Sequence, residues 1–145
     1  MDGGIQATHE DFGGRDIECV YDVTNGNCED RRGHGTHVAA TVGGLLSGVA
    51  KNVNLKAVKC LDDQAAGTYA GLVTSIEKVL QRAKRTGNPS VVNMSVGGKT
   101  SSVLNEAIDN GVSTLDNLVF VAAAGNTNED ACKYVFFCFF CFDLI

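Results

Sequence analysis

The chain has 145 residues, which is about one domain by length. Its 12 Lys and Arg against 17 Asp and Glu give a formal charge of −5, which argues against a strongly basic nucleic-acid-binding protein. Apolar residues make up 44% and charged residues 20%, as in ordinary globular proteins. No apolar run reaches the ~20 residues that a membrane span needs. We therefore expect a globular chain with neither nucleic acid nor membrane as a partner.

Hydrophobic periodicity predicts an alternation of strands and helices. Short apolar runs indicate strands over 54–61, 90–96 and 118–124, and residues with helical spacing indicate helices over 38–46, 69–85 and 101–110, the last ending at Gly111. The strand runs are apolar on both faces, as parallel strands between helices must be. The predicted fold class is α/β, a doubly wound and mostly parallel sheet with helices on both faces.

Small residues follow each predicted strand, at 61–69, 95–98 and 124–127. Ligands in parallel sheets bind beyond the carboxyl ends of the strands. The sequence therefore places a cleft at these segments.

The most informative short segment is GHGTHVA at residues 33–39. The helix predicted directly after it puts His34 at or near a helix N-terminus, and a neutral imidazole there can act as a base at pH 7. Three alternatives stay open at this point. His34 and His37 could bind a metal, although no Glu accompanies them as in HExxH. The glycines could form a phosphate-binding loop, although the GxGxxG pattern fails, or both histidines could be plain surface residues; His9 has no motif around it.

Six cysteines allow 15 pairings, so their connectivity cannot be deduced. Their spacing fits no zinc site, and the pair at 138 and 141 lies inside a Phe-rich run. Cys19, Cys28, Cys60 and Cys132 occur in more polar segments and could form disulfides, which would indicate an oxidising compartment. A thiol or metal protein is a further alternative, which the spacing does not favour.

The two ends of the chain have unusual compositions. The N-terminus carries no basic and apolar signal sequence. The last 11 residues, VFFCFFCFDLI at 135–145, hold 5 of the 7 Phe and would promote aggregation if exposed. We predict that 135–145 is an apolar tail outside the domain formed by 1–134.

Five ordered segments resemble the subtilisin-like serine proteases (subtilases, peptidase S8), and among them the proteinase K branch. They are DGGI at 2–5, GHGTHVAATVGG at 33–44, VKCLDDQAAGTY at 58–69, NMSVGG at 93–98 and AAGN at 123–126. The resemblance covers residues 2–134, the N-terminal part of the family's catalytic domain. It implies a subtilisin-like fold that is incomplete in this chain.

The resemblance also implies roles for residues of this chain. His34 would be the general base, Asp2 would fix its tautomer, and Asn126 would donate its amide to the oxyanion. Backbone on both sides of the cleft would pair with an extended peptide. The implied substrate-binding residues are Ala65, Ala66, Gly67, Ser95, Val96, Gly97, Ala123, Ala124 and Gly125. No metal ligand is implied, because the family's calcium sites depend partly on residues beyond 134.

Several family features are missing from the sequence. The family's nucleophile lies in a Gly-Thr-Ser-Met-Ala segment, and none of the seven serines has that context. Gly3 stands where the family has a Thr or Ser that helps to hold the Asp, and Ala65 stands where it usually has Gly. Without a nucleophile no acyl-enzyme can form.

The resemblance implies a serine endopeptidase that cuts extended peptide segments, extracellular by family although the chain carries no signal sequence. The chain as given would lack the nucleophilic Ser and be inactive alone. The alternative is a non-catalytic peptide-binding or regulatory remnant of the family. We expect a protein or peptide partner and no cofactor, and make no prediction about oligomeric state.

Overall fold

The computed structural model describes residues 1–131. The predicted tail at 135–145 and the cysteines at 132, 138 and 141 lie outside these residues, so the division of the chain after 134 stays a prediction. Strands and helices alternate within the described part, which confirms the predicted α/β class. After a 3-10 helix (Glu10–Phe12), the elements are β1 (Glu18–Asp22), α1 (His34–Gly43), β2 (Lys56–Lys59), α2 (Tyr69–Thr86), β3 (Ser90–Met94), α3 (Ser102–Thr114) and β4 (Leu118–Ala122).

The chain divides into two compact units, and the first is Met1–Gly71. Its β1 and β2 pair in parallel with α1 between them in sequence, as in a βαβ unit. The register runs from Glu18 opposite Lys56 to Asp22 opposite Lys59, with one irregularity near Cys19. Asp2 adds an isolated parallel bridge to Lys59, which places the N-terminal segment beside the carboxyl end of β2.

The second unit begins at Leu72 and repeats this plan. Its β3 and β4 pair in parallel from Ser90 opposite Leu118 to Met94 opposite Ala122, and α3 connects them. Burial alternates along both strands, as a period of two requires. The buried side chains of the pair and of α3 form the core of this unit; they include Val92, Met94, Leu104, Ile108, Leu118 and Phe120.

Helix α3 corrects one prediction, because it continues through Gly111 to Thr114. Gly111 is buried, and a β-carbon there would lie 2.6 Å from Cδ2 of Leu80 in α2. This glycine therefore allows two helices to approach closely and does not end one. Propensity alone could not distinguish the two uses of a glycine.

Helix α1 also differs from its predicted range of 38–46, since it begins at His34 and ends at Gly43. Strand β1 was not predicted, because its five residues, ECVYD, include two charged side chains and show only a weak pattern of apolar residues. The prediction of 69–85 as helical is confirmed by α2. Within residues 1–131, no helix has the length and apolar character to cross a bilayer.

Candidate active site

His34 and Asp2 are in contact in the first unit. His34 is the first residue of α1, and its Nδ1 lies 2.8 Å from Oδ1 of Asp2. The His34 side chain is 53% exposed and the Asp2 side chain 9%. A carboxylate only accepts hydrogen bonds, so it selects the tautomer that carries the proton on Nδ1. The accessible imidazole thus keeps the lone pair on Nε2, as a general base requires.

The backbone of Asp2 is fixed from both sides. Its N–H donates to the carbonyl of Val58 at 3.1 Å, and its carbonyl accepts from the N–H of Cys60 at 2.9 Å. Oδ1 of the side chain also accepts from the N–H of Gly3 at 2.7 Å. Oδ2 is buried and, among residues 1–131, has no hydrogen-bond partner. The residues that the structure describes thus hold only one of the two carboxylate oxygens.

Lys59 provides a buried positive charge next to this segment. Lys59 is only 3% exposed. Its Nζ donates to the carbonyl of Gly3 at 2.5 Å and to Oδ1 of Asp63 at 3.0 Å. Buried ammonium groups need such partners. Lys59 therefore connects the turn after Asp2 to the loop after β2.

The loop after β2 is closed by Asp62. Oδ1 of Asp62 accepts from the N–H of Gln64 and of Ala66, both at 2.9 Å. Ala65 adopts a left-handed backbone with φ of 61°, a region that costs a non-glycine residue about 1–2 kcal/mol. The predicted substrate-binding residues 65–67 are exposed at the tip of this loop.

The remaining predicted site residues belong to the second unit. The paired ends of β3 and β4, Met94 and Ala122, bring the segments 95–97 and 123–126 out at the same edge of this sheet. Val96 is buried at 6% exposure, so only its backbone could pair with a ligand. Gly97 and the segment 123–126 are exposed. Ser95 is half-buried and its Oγ accepts from Nδ2 of Asn93 at 3.0 Å.

Asp30 lies four residues before His34 and is not among the site residues predicted from the sequence. Its carboxylate accepts hydrogen bonds at 2.7 to 3.0 Å from Arg32 and Gly33, which precede α1, and from Thr36 in the first turn of α1. An Asp shortly before a helix is a capping signal, and this signal could have identified it. The other two histidines, His9 and His37, are exposed; His9 accepts from the N–H of Asp11 through Nδ1 at 3.2 Å.

The structure selects one of the pairings that the sequence left open, a disulfide between Cys19 and Cys28. The third described cysteine, Cys60, is a free thiol whose pKa burial raises to about 11. Among residues 1–131, no three His, Cys, Asp or Glu side chains converge as metal ligands. The absence of a cofactor stays a prediction.

An accessible imidazole held by a buried carboxylate, beside parallel strands, has the geometry of the Asp–His part of a hydrolase triad. Residues 1–136 match the model of the subtilase family, and the chain belongs to that family. It is 42% identical over 136 residues to alkaline serine exoprotease A of Vibrio alginolyticus, covering 92% of this chain and 24% of that protein. It is 40% identical over 136 residues to an extracellular serine proteinase of a Thermus species, covering 92% of this chain and 32% of that protein.

A solved structure has the same fold. It is a cold-adapted subtilisin-like serine proteinase with a TM-score of 0.83 and 43% identity, and the match covers 92% of this chain and 47% of the solved one. The present chain is thus a subtilisin-like α/β fold that spans less than half the length of each of these proteins. The predicted family and fold class are confirmed.

Proposed function

We propose that this chain carries the base and its orienting carboxylate for a serine-type endopeptidase that acts on extended peptide segments. The observation that carries the proposal is the 2.8 Å contact between His34 and Asp2. In the proposed reaction Nε2 of His34 takes the proton of a nucleophilic hydroxyl and later gives it to the leaving amine. The carboxylate of Asp2 holds the tautomer and stabilises the imidazolium that forms.

The remaining roles in the proposal come from family membership. Asn126 donates its side-chain amide to the oxyanion. The exposed backbone of 65–67 and the segments 95–97 and 123–125 pair with the peptide in extended form. The site of action is extracellular, which the name of the Thermus relative supports.

The serine nucleophile is proposed to be absent from these 145 residues. The serines are Ser47, Ser75, Ser90, Ser95, Ser101, Ser102 and Ser113, and none lies in Gly-Thr-Ser-Met-Ala. A base without a nucleophile forms no covalent intermediate. We therefore expect the purified chain to remain unlabelled by a fluorophosphonate, and stoichiometric labelling would contradict this part of the proposal.

A chimera tests the catalytic roles. Residues 1–131 would replace the matching segment of the cold-adapted relative, whose remaining part supplies the rest of the domain. We expect peptidase activity in the chimera, and a loss of about 10⁴ in kcat for Asp2→Asn by analogy with triad carboxylates. His37→Ala, on the exposed face of the same helix, is the control and should retain activity. A folded chimera that is inactive, or one that retains full activity with His34→Ala, would refute the assignment.

The alternative function is non-catalytic peptide binding. The observation that favours it is the exposed loop tip at 65–67, whose backbone is accessible to a peptide. Titration of the full chain with an unstructured peptide of ten residues distinguishes the two. Saturable binding that Gly67→Pro abolishes, with an inactive chimera, would favour the binding function.

A further inference from the structure

The carboxylate of Asp30 is buried and fully engaged. Asp30 is 6% exposed. Oδ1 accepts from the backbone N–H of Arg32 at 3.0 Å and of Gly33 at 2.9 Å, while Oδ2 accepts from the N–H of Thr36 at 2.8 Å and from its hydroxyl at 2.7 Å. Burial alone would raise the pKa of Asp30, but these hydrogen bonds outweigh it and lower the pKa below the ordinary carboxyl value.

Asp30 replaces the cap that α1 lacks at its own N-cap position. Gly33 occupies that position with φ of 92° and makes no side-chain cap. The first N–H groups of a helix need acceptors, and Asp30 supplies one from three residues upstream. Since His34 is the first residue of α1, Asp30 fixes the backbone that aims the imidazole.

Thr36 extends this contact to the segment that follows Asp2. Its hydroxyl donates to Asp30 and accepts from the N–H of Gln6 at 2.9 Å. Gly35, the residue before Thr36, packs closely against the segment that begins at Asp2. A β-carbon on Gly35 would collide with the carbonyl of Gly4 and lie 3.1 Å from Cβ of Asp2. Besides the direct contact of His34 with Asp2, the hydroxyl of Thr36 therefore joins the helix that carries His34 to the segment that follows Asp2.

We propose that Asp30, acting through the Thr36 hydroxyl, is a positioning residue that holds His34 and Asp2 in register. This inference rests on the proposed peptidase function, in which the Nδ1–H tautomer of His34 is the reactive one. The competing explanation is that Asp30 and Thr36 only stabilise the fold. The two differ in their effect on the tautomer of His34 in a protein that remains folded.

The experiment uses the full chain labelled with ¹⁵N-histidine at pH 9, where imidazoles are neutral. The ¹⁵N shifts of the ring report the ratio of the two tautomers. We expect Thr36→Val to reduce the Nδ1–H to Nε2–H ratio at His34 about fivefold, the effect of one net hydrogen bond. Thr36→Ser, which restores the hydroxyl, should return it. Exposed His37 is the internal reference.

Thr41→Val is the matched control, because it makes the same substitution further along α1. The hydroxyl of Thr41 donates to the carbonyl of His37 at 3.0 Å and reaches neither Asp30 nor the turn after Asp2. We expect this variant to leave the tautomer ratio of His34 unchanged. Thr36→Ala is a second test variant, since Ala favours the helix.

A folded Thr36→Val or Thr36→Ala variant with the original tautomer ratio would overturn the proposal. Loss of folding in both variants, with Thr41→Val folded, would assign Thr36 to stability alone and also overturn it. The readout requires no serine and no turnover. If the chimera is inactive but the tautomer ratio of His34 changes in Thr36→Val, the peptidase function is refuted and the positioning role stands. If the chimera is active but the ratio is unchanged, the positioning role is refuted and the peptidase function stands.

Discussion

Gly3 and Gly4 are neighbours in the chain, but a side chain fits only at the first. Apart from its two chain neighbours, the nearest atom to a β-carbon on Gly3 is Oδ1 of Asp30 at 3.9 Å, whereas a β-carbon on Gly4 would collide with the carbonyl of Cys28. Gly4 also has φ of 111°. The turn after Asp2 is thus tightly packed at Gly4 and open at Gly3.

We expect Gly3→Ser to stabilise the first unit, because it supplies a hydroxyl donor beside Asp2, whose buried Oδ2 has no hydrogen-bond partner among residues 1–131. Satisfying a buried acceptor is worth about 1–3 kcal/mol, and we expect a gain of about 1 kcal/mol in urea unfolding. Gly4→Ser is the matched control, and its free energy of unfolding should fall by more than about 1 kcal/mol. Equal effects of the two substitutions would contradict the described turn.

Ala65→Gly should also increase stability. Ala65 has φ of 61°, so glycine relieves about 1–2 kcal/mol of backbone strain and adds about 0.5–1 kcal/mol of chain entropy to the unfolded state. The expected net gain lies between zero and about 1.5 kcal/mol. Ala66→Gly, where no such strain exists, should be destabilising, and thermal unfolding of both variants measures the difference in sign.

Reduction of the disulfide between Cys19 and Cys28 should destabilise the first unit. The bond joins residues 9 apart in sequence, and loop-closure entropy for such a loop gives about 2–3 kcal/mol. Chemical unfolding with and without dithiothreitol measures this loss. The Cys60→Ala variant should lose as much stability with the reductant as the parent chain does. If dithiothreitol leaves the stability of the parent chain unchanged, the disulfide is ruled out.

Cys60 should resist alkylation while the protein is folded. Its side chain is fully buried. Because its pKa is about 11, its thiolate fraction near neutral pH is roughly 100-fold lower than that of an ordinary thiol. Iodoacetamide at pH 7.5, followed by mass spectrometry of the peptide that contains Cys60, compares native and urea-unfolded chains. Equal rates in the two states would show that this thiol is accessible.

Stability should fall in acid. Burial would raise the pKa of Asp22, but hydrogen bonds from Thr24 and Cys28 and the charge of Lys59 together lower it. The pKa of Asp30 is lowered in the same way. A lowered folded pKa contributes stability that is complete above the unfolded value of about 3.9 and is lost as pH falls through the folded value.

Urea unfolding from pH 7 to pH 2 should therefore show a free energy that is steady down to about pH 5 and declines below about pH 4. Asp22→Asn removes one of these carboxylates and should make the decline shallower. An unchanged acid slope in that variant would contradict the role of Asp22.

The sequence by itself determined the class of fold, and it predicted the segments that carry the candidate site. Apolar runs and helical spacing are local properties, so α2, β3 and β4 could be found from them. The motif around His34 is likewise a contiguous run of residues, so it could be recognised from the sequence. The family followed from the order of such segments along the chain.

Only the tertiary structure decided which distant groups meet. The pairing of Cys19 with Cys28 and the use of Gly111 as a packing contact join residues that are separated along the chain. The family resemblance implied a contact between His34 and Asp2, but its distance and the burial of the carboxylate come only from the fold. Asp30 had a local capping signal, but its connection to the turn after Asp2 passes through Thr36 and appears only when the chain is folded. Hydrogen bonds and close packing depend on distances in space, which no local pattern of residues contains.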